Sequence, residues 1–267
     1  MPRPTPFDAL VWRRSDFRES SRVVTLLTRE HGKLRAFAKG AHRHDSVLLG
    51  KIDFLNLVEV ELWRRGSTMP LLSRARLLHE PRRLRQPIRF LLAQHLVEIV
   101  DEALPEGRAD GALFDLVHGG AMLLERCPES SLALVACGLE WRFLDAVGLR
   151  PEVDACASTG AALPPRAPVA LAPAGRGFDL PAAASAGAAL VSPSVRDLLR
   201  TLARTPGKGW PQLHVAPATL AGTSSVLGEM LAHALERRPR SRAAAMRRAL
   251  ATHAAPAARR GSPTIDT

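Results

Sequence analysis

The chain has 267 residues, 46% of them hydrophobic and 24% charged, which is room for one large or two small domains and excludes a collagen, a coiled coil or a wholly disordered chain. No run approaches the roughly 18 uninterrupted apolar residues of a membrane span. Formal charge is +11, from 37 Lys and Arg against 26 Asp and Glu.

That charge is uneven. Residues 1–80 carry 15 basic and 9 acidic side chains, residues 81–236 carry 14 and 16, and residues 237–267 carry 8 and 1. A positive excess confined to the two ends points to a polyanion such as nucleic acid, or to an acidic protein tail. Of the 37 basic residues 33 are Arg, and Tyr is absent, as a GC-rich genome would produce without selection. The sign of the charge is therefore informative and the choice of Arg is not. Met1-Pro-Arg-Pro-Thr-Pro-Phe7 lacks the charged-then-apolar order of a signal peptide, so a cytoplasmic protein with no membrane partner is expected. Cys127, Cys137 and Cys156 have no paired spacing, which argues for reduced thiols.

From Phe7 to about Leu78 the sequence reads as five short strands, roughly Phe7–Arg13, Arg22–Arg29, Lys33–Lys39, Phe54–Trp63 and Met69–Leu78. Turn signals stand near Ser15-Asp16, His31-Gly32 and Arg65-Gly66, with a longer connection from Gly40 to Gly50. Five strands with one long connection after the third fit an OB-type β-barrel better than a sandwich, and an SH3-like barrel is also compatible. Around Pro81 the period changes from two to 3.6. Pro87–Leu104 places Phe90, Leu91, Gln94, Val97, Glu98 and Asp101 at helical steps, separating an apolar from an acidic face. Further helices are expected at Ala112–Arg126, Ser130–Val147, Ser194–Ala203 and Ser224–Arg237. The predicted class is α+β: an OB domain over residues 1–80, a helical domain over 81–251, and a tail from 252 read as disordered. Within the helical part an irregular insertion covers about 151–190. Residues 161–190 hold twelve Ala with repeated Pro and Gly, too little bulk for a core.

The third strand carries the most informative pattern. Alternation puts Leu34, Ala36 and Ala38 on one face and Lys33, Arg35, Phe37 and Lys39 on the other. Single-stranded nucleic acid is held by cations along its phosphates and aromatic rings against its bases, so this face predicts a DNA-binding surface. Trp12 and Arg14 share a face of the first strand in the same way, although Trp12 and Phe37 are equally suited to core or capping positions. Arg13, Arg18, Arg22 and Arg43 are further candidates. A second basic cluster, Arg237-Arg-Pro-Arg-Ser-Arg242 with Arg247 and Arg248 on a short helix, suits phosphate, an acidic peptide, a solubilising tail or the C-terminus of the preceding helix.

Catalytic motifs fail in turn. Gly207-Lys208 lacks the spacing and the following Ser or Thr of a phosphate loop, and no His-Glu-x-x-His or nucleophile elbow occurs. His42 and His44 lie in a basic loop that opposes a metal ion. A non-enzyme without cofactor is expected.

The details of the first 80 residues resemble the bacterial RecO family of recombination mediators. The resemblance rests on Ala9-Leu-Val-Trp-Arg-Arg-Ser-Asp-Phe-Arg-Glu-Ser20, Arg22-Val-Val-Thr-Leu-Leu-Thr-Arg-Glu-His-Gly-Lys33, Ala36-Phe-Ala-Lys-Gly-Ala41 and Ser46-Val-Leu-Leu-Gly50, then on Phe54 to Leu78. It continues more weakly through Leu139–Pro151 and Arg240-Ser-Arg242. It implies a DNA repair protein that binds single- and double-stranded DNA, anneals complementary strands, and works with RecR to help RecA replace single-strand-binding protein. It also implies that the helical domain receives the acidic C-terminal tail of that binding protein, with Arg126 and Arg142 among the cations there. Carried over by position, Arg13, Arg14, Arg22, Lys33, Arg35 and Lys39 become DNA contacts. Many relatives carry a four-cysteine zinc module after the Gly-Leu-Arg-Pro segment, whereas here Cys156 stands alone, so no metal is predicted. An OB-fold RNA-binding protein and a nucleic-acid-processing enzyme are the alternatives.

Overall fold

A computed structural model describes residues 5–17, 19–64 and 69–254. Five strands, β1 (Phe7–Phe17), β2 (Ser21–Thr28), β3 (Gly32–Ala38), β4 (Leu57–Trp63) and β5 (Leu71–His79), close into a barrel in the order β1-β2-β3-β5-β4. Neighbours are antiparallel except β3 and β5, which meet in parallel at Phe37 and Leu71. The expected OB-type barrel followed by helices is the observed architecture. Its interior is made by the inward-facing set of each strand: Ala9 and Val11, Val24 and Leu26, Ala36 and Ala38, Val58 and Val60, and Leu72 and Ala75. The small alanines let three strands curve tightly around one core. Ala41, Leu48 and Ile52 of the connection after β3 are buried in the same core.

Two strand boundaries differ from the sequence expectation by three residues or more. β1 runs on through Ser15 and Asp16 to Phe17. The fourth strand starts at Leu57 rather than Phe54, because residues 51–56 form turns in which Leu55 takes a positive φ of 58° and the Asn56 amide donates to the Lys51 carbonyl at 2.9 Å. The expected turn at Arg65-Gly66 lies outside the described residues.

Among the described residues six α-helices follow: α1 (Pro87–Ala103), α2 (Gly111–Arg126), α3 (Leu132–Ala146), α4 (Pro193–Arg204), α5 (Pro217–Ala234) and α6 (Arg242–Ala254). Pro occupies the first turn of α1, α4 and α5, where its missing N–H costs nothing. α3 is buried on nearly every side, and Gly138 on it lets the Trp210 ring lie against its backbone. α5 begins two turns before the expected Ser224, since Pro217 starts it and its small residues weaken the periodic signal. Thr252 to Ala254 are helical, and the rest of the tail read as disordered lies outside the described residues.

The barrel keeps its own interior and lends part of its outer side to the helical core. Leu10, Trp12 and Leu27 point away from the barrel interior and pack among the helical side chains. Gly32, at φ +65°, lets the β2–β3 turn touch the Arg108 backbone, where any Cβ would collide.

The insertion is more ordered than its composition predicts. It contains a three-stranded sheet, β6 (Val169–Leu171) flanked by β7 (Phe178–Asp179) and β8 (Leu190–Val191). Its few bulky residues are used efficiently: Phe178 and Val169 are fully buried in the helical core. Asp179 accepts from the Cys156 thiol at 3.3 Å and from the Ser158 amide at 2.9 Å. Arg196 of α4, fully buried, donates to the carbonyls of Val153 at 3.1 Å and Pro164 at 2.7 Å. Among the described residues no three His, Cys, Asp or Glu side chains gather as a metal site would require.

Candidate nucleic-acid interface

Strand register arranges the outer face of the barrel in rows, because directly paired residues project to the same side. Arg13, Thr25 and Arg35 form one row across β1, β2 and β3. The next is longer: Ser15, Val23, Phe37, Leu71 and Trp63 stand in register across all five strands. Lys39 follows the end of β3, and Arg43 lies in the turn that begins at Gly40.

Three of the expected DNA contacts, Arg35, Lys39 and Arg43, are exposed and have no ion-pair partner among the described residues. Phe37 is half-buried and meets Phe17 edge to face, with ring centroids 5.4 Å apart. Arg13 is exposed and donates to Asp101 at 2.7 Å. Arg14 pairs with Asp53. Arg22, half-buried, donates to Asp16 at 3.0 Å, and His42 Nε2 lies 2.9 Å from the same carboxylate. The bonds of Asp16 to His42 and Arg22 hold its carboxyl below the ordinary range. Arg18 lies outside the described residues.

Lys33 is on the outward side, as alternation requires, but the structure removes it from the exposed face. The helical domain covers that end of the strand, so Lys33 is 8% exposed, with Nζ 2.9 Å from Asp101 Oδ1 and 3.1 Å from the Asp101 carbonyl. Trp12 is also displaced from the expected surface. A register shift between Val11 and Arg13 marks a β-bulge, in which Trp12 is the extra residue. The bulge turns Trp12 into the core between barrel and helices, where its indole N–H donates to Asp101 at 2.8 Å. It also separates Trp12 from Arg14: Arg13 joins the outer row with Arg35, and Arg14 stands opposite Val24. Burial opposes ionisation of Asp101, and the bonds from Trp12 and Lys33 with the charges of Lys33 and Arg13 outweigh it, keeping the carboxyl below its usual range.

Between the barrel and α1 opens a cleft of about 630 Å³, lined by Arg13, Arg14, Asp53, Phe54, Arg85 and Phe90 among others. Each of its arginines faces a carboxylate: Arg13 has Asp101, Arg14 has Asp53, and Arg85 has Glu80 at 2.7 Å. The cleft therefore adds little attraction for phosphate.

The basic cluster at 237–242 is largely consumed by structure. Arg242 donates to both oxygens of the buried Glu140, at 2.8 and 2.9 Å. Arg238 pairs with Glu229 at 2.8 Å, and Arg237 with Glu98 and Glu102. The backbone N–H groups of Arg240 and Ser241 donate to Glu98 at 2.8 and 2.9 Å. The acidic face of α1 is thus the partner of Arg237 and of the backbone at 240–241, while α3 and α5 supply the carboxylates for Arg242 and Arg238. Only Arg240, Arg247 and Arg248 of the set remain exposed without an ion pair among the described residues. Of the helical cations, Arg142 donates to the carbonyls of Ala203 and Thr205 at the end of α4, whereas Arg126 is exposed.

Sequence reasoning missed Trp63, Leu71 and Phe17 as members of the outer surface. The signal was present for Trp63, since Val58 and Val60 fix which side of β4 faces the core. Linking it to Phe37 required the β3–β5 pairing, which no local pattern reveals.

Comparison with known families agrees with this architecture. A model of the N-terminal part of recombination protein O matches residues 3–81, and one of its C-terminal part matches residues 84–243. A DNA repair protein RecO from Roseiflexus sp. (strain RS-1) is 34% identical over 242 residues, covering 88% of this chain and 82% of the relative. One from Moorella thermoacetica is 30% identical over 246 residues, 91% of each chain. Another, from Desulforudis audaxviator, is 30% identical over 242 residues, 88% of this chain and 93% of its own.

Proposed function

The chain belongs to the RecO family of DNA repair and recombination proteins, and on that premise we propose that it binds single- and double-stranded DNA, anneals complementary strands, and with RecR helps load RecA onto strands coated by single-strand-binding protein. In this reading the barrel is the DNA-binding unit. The helices from Pro87 onward receive the acidic C-terminal tail of the single-strand-binding protein, and the protein works at the nucleoid without a catalytic group or cofactor. Among the described residues no helix is long and apolar enough to cross a membrane.

One observation carries the proposal: Arg35 and Lys39 stand two residues to either side of the outward-facing Phe37, Arg43 follows in the turn that begins at Gly40, and all three are exposed and lack ionic partners among the described residues. Uncompensated cations beside an aromatic ring attract a phosphate backbone and offer its bases a surface. Such binding is tolerant of sequence, and loosely held strands can exchange, which annealing requires. Positive charge on two strands at once also offsets the repulsion between their backbones.

Titrating the protein with a thymidine oligonucleotide at a series of salt concentrations tests the reading. For single strands the logarithm of affinity should fall with the logarithm of salt by about 0.7 for each phosphate neutralised. An affinity insensitive to salt contradicts it. Binding to RNA with no annealing of DNA would favour an RNA-binding module, and magnesium-dependent turnover of DNA would favour an enzyme.

A further inference from the structure

The long outer row holds more apolar surface than a solvated barrel face needs. Trp63 is 36% exposed, Leu71 38%, Met69 42% and Phe17 43%, and all lie at or beside the row that passes through Phe37. The other three tryptophans, Trp12, Trp141 and Trp210, are fully buried. A cross-strand row places neighbouring side chains about 4.8 Å apart, so Trp63, Leu71 and Phe37 form a continuous apolar track.

Charge on both sides decides what would cover the track. Arg35 precedes Phe37 by two residues and Lys39 follows it by two, about 7 Å away along the strand in each direction. Both are exposed and unpaired among the described residues, as are Arg43 and Arg64, the residue after Trp63. Three carboxylates on the outer face of the barrel are already engaged, while Glu19 and Asp45, in the turns beside Phe17 and Arg43, are exposed and hold no ion pair among the described residues. Asp16 holds Arg22 and His42, Glu59 holds Arg76 at 2.9 Å, and Glu61 faces Arg74 at 3.8 Å. An apolar strip rimmed by uncompensated cations fits a polyanion that exposes flat apolar faces. Single-stranded DNA has both properties, whereas a duplex keeps its base faces inside the stack.

We propose that the row Trp63, Leu71 and Phe37 is a base-stacking track for single-stranded DNA, with Trp63 as its principal ring and Arg35, Lys39, Arg43 and Arg64 along the phosphates. This rests on the DNA-binding reading above and deepens it: the strand runs across β3, β5 and β4 toward the Trp63 end of β4, rather than across β1 and β2. Stacking is indifferent to base identity, so the track supplies affinity for unpaired strands without sequence preference. It also gives a reason to release them, because a base that pairs with a complementary strand withdraws its face from the ring.

The test uses the full chain, its Trp63→Phe and Trp63→Ala variants, and an Arg35→Glu/Lys39→Glu double variant, each titrated with a thymidine oligonucleotide and with a duplex of equal length. Intrinsic tryptophan fluorescence should be quenched by the single strand in the wild type, with most of that quench absent in Trp63→Phe. Trp63→Ala should weaken single-strand binding by about tenfold and leave duplex binding unchanged, while Trp63→Phe keeps most of the affinity. If Trp63→Ala binds single strands like the wild type while the charge-reversed variant does not, the track is wrong and the DNA-binding face stands. If neither variant loses affinity, the DNA reading of this face fails with it. A concentration-dependent dimer that Trp63→Ala abolishes, with no fluorescence response to DNA, would assign the apolar row to a second copy of the chain and overturn the proposal.

Discussion

Lys33 Nζ lies 2.9 Å from Asp101 Oδ1, joining the third strand of the barrel to the first long helix. The same carboxylate accepts from the Trp12 indole and from Arg13. One acidic side chain therefore fixes three basic or polar groups of the barrel against the helical domain. Arg13 alone of the three remains exposed.

Removing Asp101 should cost more than removing Lys33. Asp101→Ala leaves the nearly buried Lys33 ammonium with only the backbone carbonyl of residue 101 and orphans a buried indole N–H, a loss of about 3–5 kcal/mol. Lys33→Met leaves Asp101 with Arg13 and Trp12, so about 1–2 kcal/mol is expected. Urea denaturation midpoints measure both, and the order is the prediction. Lys33→Met should also leave the salt dependence of DNA binding unchanged. A shallower salt dependence in that variant would return Lys33 to the DNA interface.

Acid should loosen the same junction. Asp101 ionises more readily folded than unfolded, so its contribution is fully present above the unfolded carboxylate value, about 3.9, and is lost as pH falls through the lower folded value. The stability gap between wild type and Asp101→Asn, measured by denaturation at successive pH values, should be constant from pH 7 to about 5 and close below about 4. A gap that widens on acidification contradicts the assignment.

Arg242 tests whether the 237–242 cluster is structural. Its guanidinium pairs with Glu140, which is 1% exposed, and Glu140 is held ionised below the usual range because Arg242 and His95 outweigh its burial. Arg242→Ala should destabilise the fold by about 3–5 kcal/mol without altering DNA affinity measured under folded conditions. A stable Arg242→Ala variant with weakened DNA binding would place the cluster on the DNA instead.

Charge reversal on the exposed face should do the opposite. Arg35→Glu with Lys39→Glu removes two exposed cations that hold no ion pair among the described residues, so stability should change by no more than about 0.5 kcal/mol for each substitution. Single-strand affinity should fall, and the slope of its logarithm against the logarithm of salt should shrink by about 1.4, two phosphates at about 0.7 each. Unchanged binding would mean that this face is misassigned.

The strands and most helices were legible because each buries one periodic face: Ala36 and Ala38 point inward, and α1 buries Leu92, Ala93, Leu96, Ile99 and Val100, although Phe90 and Gln94 of the row named from its spacing are exposed. What could not be read was which equivalent-looking residue a distant segment would cover. Lys33 and Arg35 are alike in the pattern, yet α1 shields the first and not the second. Arg242 and Arg240 differ in the same way, since Glu140 lies a hundred residues earlier in the chain and only the fold brings it to Arg242. Trp12 was misplaced because a bulge breaks the alternation on which any face assignment depends. Phe37 faces outward as alternation predicts, and its row partners Leu71 and Trp63 were hidden by a parallel strand contact of long sequence separation.

The most direct test of the account is annealing of two complementary DNA strands precoated with the cognate single-strand-binding protein, followed with the wild type and with Arg35→Glu/Lys39→Glu. The wild type should accelerate annealing, and the folded double variant should do so far less. Equal acceleration by both, or none by a wild type that still binds bare DNA, would contradict it.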